Sequence, residues 1–561
     1  MFSFLRSASI AVLLHLSLQL VVLGDETKRP AIDPALAAAD QLYRAGKFAE
    51  AEASYQALLK TDSKLASPAQ VGLVRAMLRQ QKVDEALDTV NTALASQSSS
   101  AALLAAKGDV QFRRAEMSDA ELSYLAAKKL DPKEVRAYLG LARLYRTYSL
   151  YRTAYGELQI AHEIAPGDVE VQRAWLGMLP RKERLAALEV YLGGPHPDDE
   201  EETKRMAEYL EFLKATVDKP VHACRLVSKM EQTETKLETL YAADLQRVRG
   251  IGLSVKFNDR NVHLLLDTGA GGIMVGRKVA EKAGLTRVSA VHYGGIGDEG
   301  LQSGYTAVAD HIRIGELEFQ DCVVAVSDQR SLTDRDGLIG ADVFGSYLID
   351  IDLPGEKLKL SPLPKHPEDT VAPKSLNSEA EEQANVEQKE DSAIEQTLKE
   401  QKSSAPSSQA PRSMPRDRYV APEMVNWTKV FRIGHAMLVP TSVNDSKPML
   451  FGLDTGAFSN ILSLRAGRQI GKVISDYRDR VSGASGAVNK VYSSEKATLS
   501  FGHYRQSNLG IITLDLSTVS RHVGTEVSGF LGFAMLRKLD LKLDYRDGLV
   551  DFEYDPKRVR P

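Results

Sequence analysis

One seven-residue segment occurs twice in closely similar form, and this duplication limits what the second half of the molecule can fold into. The segment LLLDTGA at 264–270 recurs as FGLDTGA at 451–457. Each copy ends a hydrophobic, strand-like run and is followed by an apolar-apolar-glycine triplet, at 338–340 and at 530–532. The final glycines of the triplets lie 73 and 78 residues after the two aspartates. Matched spacings of this kind predict two related β-rich lobes.

The composition excludes several classes of function. The chain has 561 residues, enough for several domains, since single domains cluster at roughly 100–200 residues. Its hydrophobic fraction of 43% is typical of globular proteins. The net charge of -4 argues against nucleic acid as a partner. Two cysteines, Cys224 and Cys322, are too few for a disulfide scaffold or a four-thiolate zinc site, and whether they pair stays open.

The duplicated arrangement resembles the retropepsin-like aspartic proteases. The resemblance covers residues 246–365 and 419–556, which are the predicted lobes 1 and 2. In that family each lobe supplies one catalytic carboxylate from an Asp-Thr-Gly loop, and two lobes are needed for one site. The resemblance therefore implies a hydrolase that uses no metal or cofactor, with Asp267 and Asp454 as its catalytic carboxylates.

The same resemblance gives supporting roles to the residues around the two aspartates. The threonines would hydrogen-bond across the lobe interface, and the loop glycines would let backbone approach the carboxylates where a Cβ would crowd them. These supporting residues are Thr268, Gly269, Ala270, Thr455, Gly456 and Ala457. Gly340 and Gly532 would pack behind the loops as structural glycines.

The chemistry of paired carboxylates fits peptide hydrolysis without a metal or a nucleophilic side chain. Two carboxylates held about 3 Å apart cannot both ionise, so one proton is shared and their titrations separate. The ionised member accepts a proton from the attacking water. The protonated member donates to the carbonyl oxygen.

A flap is expected over such a site, because the tetrahedral intermediate must be shielded from bulk water. Two glycine-rich turns, at 293–297 and 482–486, each fall between an Asp loop and its downstream triplet. Their candidate flap glycines are Gly294, Gly295, Gly297, Gly483 and Gly486. The alternative is that each is an ordinary hairpin turn.

The first part of the chain is rich in Ala, Leu and Tyr and repeats itself. Small-residue anchors recur at intervals of 34 or 35 residues, namely at Ala51, Ala86, Ala120 and Ala154. This period, with helix–turn–helix patterning, resembles the tetratricopeptide repeat (TPR). The resemblance covers residues 34–192 and implies an α-solenoid whose concave face binds a peptide or protein partner. A non-repeating helical bundle is the alternative.

Two connecting segments complete the predicted organisation. Residues 193–245 are predicted to form a helical connector, in which the acidic run 200–214 favours a helix N-terminus. The segment His196-Pro197-Asp198-Asp199-Glu200 looks like a zinc motif, but no later His-x-x-His supplies further ligands. Residues 366–418 contain no Phe, Trp or Tyr and are predicted to be a disordered polar linker.

The N-terminus has the pattern of a targeting segment. Residues 1–24 carry Arg6, then an apolar run, then small residues, as in a secretory signal peptide. A retained membrane anchor is the alternative, although the run is shorter than the about 20 residues a spanning helix needs. We therefore expect an exported protein, periplasmic or secreted, with no stable membrane span after cleavage.

Together these patterns predict a multidomain α + β protein, with an N-terminal α-solenoid followed by two mainly-β acid-protease lobes. The expected function is an aspartic endopeptidase whose repeats bind a partner or substrate. The alternative is a catalytically silent scaffold that binds peptides. The lobes could pair within one chain, or lobe 1 could pair with lobe 1 of a second chain.

Overall fold

The structure is a computed structural model that describes residues 33–61, 65–218, 224–241, 248–327, 336–367, 416–476, 481–508 and 510–558. The predicted signal peptide and residues 368–415 of the predicted linker lie outside these ranges. Over the described ranges, every helix is too short or too polar to cross a membrane.

The first part of the described chain is a series of paired helices. They are α1 Pro34–Arg44, α2 Phe48–Thr61, α3 Ala66–Arg79, α4 Val83–Ser96, α5 Ala101–Arg113, α6 Met117–Leu130, α7 Val135–Thr147, α8 Tyr151–Ile164, α9 Val169–Trp175, α10 Arg181–Gly193 and α11 Glu200–Thr216. The four anchor alanines are all buried, from 0% to 7% exposed. Their spacing therefore reflects close approach of successive helices.

The helices pack closely because tyrosine rings lie directly on glycine residues of neighbouring helices. Tyr124 of α6 is fully buried, and a Cβ added at Gly108 or Gly140 would lie 2.5 or 2.2 Å from its ring. Tyr55 of α2 packs in the same way on Gly72 of α3. The helix-pair solenoid predicted from the repeat is confirmed, and it is one part of the predicted fold class.

The predicted helical connector is only partly helical. Helix α11 starts at Glu200, where the Asp199 carboxylate and Glu202 form a reciprocal capping box, and it ends at Thr216. Thr233–Tyr241 is a strand, β2, so the prediction of a helix here is wrong. Its buried residues Thr233, Leu237 and Leu240 are spaced four and three apart, which also suits a helix face. Residues 233–241 nevertheless form a strand, because a strand on each side pairs with them.

Lobe 1 is built mainly of strands. They are β1 Arg225–Leu226, β2 Thr233–Tyr241, β3 Val248–Phe257, β4 Arg260–Asp267, β5 Ile273–Gly276, β6 Thr286–Tyr293, β7 Gln302–Ile314, β8 Leu317–Ser327, β9 Gly337–Gly340, β10 Tyr347–Asp352 and β11 Lys357–Pro362, with helix α12 Arg277–Lys282. The lobe begins at β1, before the boundary predicted at residue 246, because β1 and β2 pair with its other strands. A disulfide between Cys224 and Cys322 ties the start of the lobe to β8. The sequence left open whether the two cysteines pair, and in the structure they do.

Lobe 2 repeats this plan. Its strands are β12 Thr428–Lys429, β13 Phe431–Ile433, β14 Ala436–Val443, β15 Met449–Asp454, β16 Ile461–Ser463, β17 Val473–Ser475, β18 Ser482–Gly483, β19 Gly486–Ala487, β20 Tyr492–Ser494, β21 Ala497–Phe501, β22 Tyr504–Asn508, β23 Ile512–Leu514, β24 Gly529–Gly532, β25 Asp540–Asp544 and β26 Leu549–Glu553, with helices α13 Leu464–Ile470, α14 Ser517–Val523 and α15 Phe533–Leu536.

The two lobes join within one chain. Strand β10 of lobe 1 pairs antiparallel with β25 of lobe 2, with Leu348 opposite Asp544 and Asp352 opposite Asp540. The pairing extends to β11 and β2 on one side and to β26 and β12 on the other. One hydrophobic core runs through both lobes, and it includes Phe344 from lobe 1 and Leu541 from lobe 2. This shared sheet fixes the lobes face to face.

The solenoid docks on lobe 2. Phe112 and Leu144 of the array share an apolar cluster with Leu438 and Val527 of the lobe. At the edge of that cluster, Thr525 Oγ1 donates to the Phe112 carbonyl at 2.5 Å. The array is therefore part of the folded body that holds the lobes.

The end of the predicted linker also contacts the solenoid. Asp417 accepts hydrogen bonds at the start of α8, from Thr153 N at 3.0 Å and from Thr153 Oγ1 at 2.7 Å. The chain that enters lobe 2 is thus attached to the array before the lobe begins.

Candidate active site

The two aspartates end equivalent strands in the two lobes. Strand β4 ends at Asp267 and pairs in parallel with β9, which places Asp267 opposite Gly340. Strand β15 ends at Asp454 and pairs in parallel with β24, which places Asp454 opposite Gly532. Each motif therefore lies where a buried strand gives way to a loop, at the surface that faces the other lobe.

Reciprocal hydrogen bonds between the two threonines join the loops. Thr455 Oγ1 donates to the Leu266 carbonyl at 2.8 Å and accepts from Thr268 N at 3.1 Å. Thr268 Oγ1 donates to the Leu453 carbonyl at 2.9 Å and accepts from Thr455 N at 3.0 Å. Both threonines are at most 1% exposed. Four buried hydrogen bonds thus set the spacing of the two loops.

The loop glycines let each carboxyl approach the opposite loop. A Cβ added at Gly456 would lie 2.2 Å from Asp267 Oδ2. One added at Gly269 would lie 2.6 Å from Asp454 Cγ. Real Cβ atoms essentially never come that close, so any other residue at either position would displace the carboxyl that it faces. The two carboxyls themselves share a hydrogen bond.

Backbone amides hold each carboxyl in place. Gly269 N donates to Asp267 Oδ1 at 2.8 Å, and Ala457 N donates to Asp454 Oδ1 at 2.7 Å. In lobe 1 the amide of Ala270 also donates to the main-chain carbonyl of Asp267 at 3.4 Å. The bonds from Gly269 and Ala457 orient each carboxyl towards its neighbour.

Burial raises the pKa of both carboxyls, but not equally. For Asp454, burial and the negative charge of Asp267 raise the pKa to about 8. For Asp267, burial raises the pKa too, while the Gly269 amide and the hydrogen bond with Asp454 oppose the rise. Two carboxyls in this arrangement cannot both ionise, so the pair shares one proton and carries a single negative charge.

The two downstream glycines lie directly behind the loops. A Cβ at Gly340 would lie 2.4 Å from the Ala270 carbonyl oxygen, and one at Gly532 would lie 2.3 Å from the Ser459 carbonyl oxygen. In lobe 2, Asn460 Oδ1 accepts from Gly532 N at 2.8 Å. These contacts brace each loop against its own lobe.

The two candidate flaps meet each other. Ser485 N donates to the Ile296 carbonyl at 2.9 Å, and Gly295 N donates to Ser485 Oγ at 3.0 Å. Ile296 also packs against the apolar cluster of lobe 2 that Ala457 touches. The tip of flap 1 (293–297) therefore crosses to flap 2 (482–486) and to the loop that carries Asp454.

One residue near the pair was not anticipated from the sequence. His435, in the turn between β13 and β14 of lobe 2, lies against Gly271 of lobe 1, where an added Cβ would be 2.7 Å from its Nδ1. Its positive charge, when present, lowers the pKa of Asp267. Nothing in the Gly-His-Ala sequence at 434–436 marks it, because the contact forms only when the lobes dock.

Among the described residues, no group of three or more His, Cys, Asp or Glu side chains is placed to hold a metal ion. His196, part of the zinc-like motif, instead stacks on the ring of Tyr191. The neighbouring Asp198 pairs with Arg173 at 2.6 Å.

Comparisons with known proteins bear on both parts of the chain. Residues 253–343 and 439–534 match the aspartyl protease family, and residues 42–110 match the tetratricopeptide repeat. The resemblances to aspartic proteases and to TPR repeats are confirmed by these two family matches. Among solved structures, a thermophilic TPR protein of Thermus thermophilus aligns with 21% identity and a TM-score of 0.25, over 31% of this chain and 97% of that one. No curated protein sequence matches significantly.

Proposed function

We propose that the two segments with the aspartyl protease match form one aspartic endopeptidase site within a single chain. The observation that carries the proposal is the pair of carboxyls, Asp267 and Asp454, which share one hydrogen bond across the lobe interface. A binding module has no physical need for two carboxyls placed so that only one of them can ionise. An acid and a base side by side are what hydrolysis of an amide requires.

The raised pKa of Asp454 supports one assignment of roles within the pair. Asp267, held ionised, accepts a proton from a water molecule as that water attacks the peptide carbonyl. Asp454, held protonated by its raised pKa, donates its proton to the carbonyl oxygen. In the tetrahedral intermediate the C–N bond then breaks, and the proton now on Asp267 passes to the leaving amine. Asp454 regains its proton from the hydroxyl that becomes part of the new carboxyl group.

The support is structural as well as electrostatic. The hydrogen bonds of Thr268 and Thr455 keep the loops at a fixed spacing, so little reorganisation accompanies the proton transfers. The flaps, which lie beside the loops, would exclude bulk water from the reaction.

The test uses separate Asp267→Asn and Asp454→Asn variants, with Asp310→Asn, an exposed carboxylate of β7, as the matched control. Cleavage of a peptide library is followed by mass spectrometry, with a transition-state inhibitor as a second control. Both active-site variants should lose cleavage by at least about 10³-fold, and the control should not. If either variant cleaves as well as wild type, the intramolecular pair is wrong.

Mixing the two inactive variants tests the pairing. An intramolecular site stays inactive in the mixture, because every molecule lacks one carboxyl. If the Asp454→Asn protein alone retains activity, a homodimer of first lobes is the better description. If wild type cleaves nothing yet binds peptides, the lobes are a silent binding scaffold.

The repeat array serves a protein partner or substrate. Arg75 of α3 and Arg136 of α7 both pair with Glu170 of α9, so charged side chains of separate repeats converge within the array. Capture of library peptides by the Asp267→Asn protein, with and without an added Arg75→Ala change, measures this role. Equal capture by the two proteins would show that these charged side chains of the array do not contribute to peptide binding.

The protein acts outside the cytoplasm. The signal-like residues 1–24 and the disulfide at Cys224 support this, because disulfides persist in oxidising compartments. N-terminal sequencing of the exported protein should find a start near Asp25. A retained N-terminus in the membrane fraction would favour an anchor.

A further inference from the structure

Helix α11 touches the repeat array and both lobes. Its apolar residues Leu210 and Leu213 share a cluster with Leu188 of α10. At its N-terminus Glu202 forms an ion pair with Arg79 of α3. The helix is thereby fixed to the array on one side. Its other side faces the protease lobes.

The helix binds the strand that leads into flap 1. Glu208 Oε2 accepts a hydrogen bond from His292 N at 3.0 Å, and its other oxygen pairs with the imidazole of the same residue. Both side chains are less than one-fifth exposed. His292 lies in β6, directly before Tyr293 and the flap tip. A movement of the flap strand therefore has to break contacts with a helix that is fixed to the array.

The helix also binds lobe 2. Glu201 pairs with His522 Nε2 at 2.6 Å and with Arg521 at 3.2 Å, both from α14. A cavity of about 320 Å³ lies at this junction, lined by the N-terminus of α11, by Leu301 of lobe 1 and by Arg521. One helix thus contacts the flap side of lobe 1 and lobe 2 together.

Flap 1, whose leading strand this helix contacts, is closed against flap 2. Beyond the bonds at Ser485, Asp298 N donates to the Ala487 carbonyl at 3.0 Å, and Asn489 N donates to the Asp298 carboxylate at 2.6 Å. Ala487 N donates to the Glu299 carboxylate at 3.2 Å. A peptide can reach the two aspartates from the flap side only if these bonds separate.

We propose that α11 is a strap by which the repeat array holds flap 1 closed against flap 2 and so limits the access of peptides to the site. The inference rests on the proposed function. The physical reason is that opening flap 1 moves β6, and β6 cannot move without giving up the contacts of Glu208. Those contacts add to the free energy of opening, whereas flaps joined only to each other would lack that contribution.

The experiment compares Glu208→Ala with Glu211→Ala in the full-length protein. Glu211 lies on the same helix, its side chain is 68% exposed, and its partner Lys214 also pairs with Glu189. Alanine favours helix at both positions, so α11 itself should persist. Hydrogen exchange of residues 288–304 is measured by mass spectrometry, together with exchange in α11 and kcat/KM on a library-derived peptide.

Loss of a charge-assisted hydrogen bond should speed exchange in the flap by about tenfold in Glu208→Ala and leave it unchanged in Glu211→Ala. The peptidase kcat/KM should rise several-fold in the first variant only. Equal flap exchange in the two variants overturns the strap. Faster flap exchange without a rise in kcat/KM overturns its limiting role in access.

The reciprocal variant His292→Ala is a control for any local change that Glu208→Ala causes in α11 itself. It removes the ring contact from the flap side and should again speed flap exchange while α11 stays protected. Hydrogen exchange of the flap can be measured whether or not the protein cleaves peptides. A protein that cleaves nothing, yet shows faster flap exchange in Glu208→Ala, contradicts the proposed peptidase and leaves the mechanical strap intact.

Discussion

Replacing Thr455 by valine removes the hydroxyl that links the two aspartate loops and leaves the shape of the side chain almost unchanged. Thr455 Oγ1 donates to Leu266 O at 2.8 Å and accepts from Thr268 N at 3.1 Å. Because Thr455 is fully buried, neither partner can turn to water instead. Each buried group left unsatisfied costs about 1–3 kcal/mol, so the change should destabilise the lobe interface by about 2–6 kcal/mol.

A matched control separates the hydroxyl from the methyl group. Thr455→Ser keeps both hydrogen bonds and loses one methyl group, for a cost of about 1 kcal/mol. Exchange of the Thr268 amide reports the local effect directly, and urea unfolding of the whole chain reports the global one. In Thr455→Val the Thr268 amide should exchange at least about 30-fold faster than in wild type.

The reciprocal change tests whether the two loops act as one unit. Thr268→Val removes the other two bonds, to Leu453 O and from Thr455 N. A double-mutant cycle should show coupling of at least about 0.5 kcal/mol, since residues in one network do not contribute additively. If the valine and serine variants of Thr455 exchange equally, or if the cycle shows no coupling, the loops are held by packing and this reasoning is refuted.

Three further predictions concern the carboxyls and their surroundings. Asp454→Asn should raise thermal stability relative to wild type increasingly from about pH 4 to about pH 8, by at most about 1.4 kcal/mol per pH unit. The sign follows because a raised folded pKa gives stability that is complete below the unfolded value and is lost as pH rises through the folded one. A pH-independent difference in melting temperature would contradict this. Gly456→Ala should lower kcat by about 10²-fold, because the added Cβ would displace the Asp267 carboxyl. The control Gly156→Ala, whose added Cβ has nothing within 4 Å, should leave kcat unchanged. Equal activities of the two variants would show that the site tolerates the displacement. His435→Asn should move the acidic limb of the kcat/KM profile to higher pH, since the imidazolium lowers the pKa of Asp267, and an unmoved limb would mean that the ring is too remote or uncharged.

Much of the candidate site could be predicted from the sequence, because each half of it is local. The strand that ends at Asp267 and the loop that follows are contiguous, and so are their counterparts at Asp454. The glycines of the loops could be predicted to lie close to a carboxyl. Which carboxyl each one faces could not, since Gly269 faces Asp454 and Gly456 faces Asp267 only after the lobes dock.

The predicted helical connector contains a strand that the local pattern does not reveal. Leu237 and Leu240 are both buried in β2 although they lie three residues apart, a spacing that suits one face of a helix and places them on opposite faces of a strand. The strand forms because β3 and β11 offer hydrogen-bond partners on its two sides, and those partners lie outside any local window. His435 was missed for the same reason, since its neighbour Gly271 belongs to the other lobe.

The sequence by itself determined the helix-pair array, the two related lobes and the identity of the paired aspartates. These follow from spacing along the chain, in the 34-residue repeat and in the duplicated motif. Only the tertiary structure decided that the lobes pair within one chain, that burial and mutual contact raise the pKa values of both aspartates, and that α11 contacts both the flap strand and lobe 2. The physical reason is that protonation and docking depend on distances between segments far apart in the chain. Local patterning specifies each segment, but the distances exist only once the core has closed.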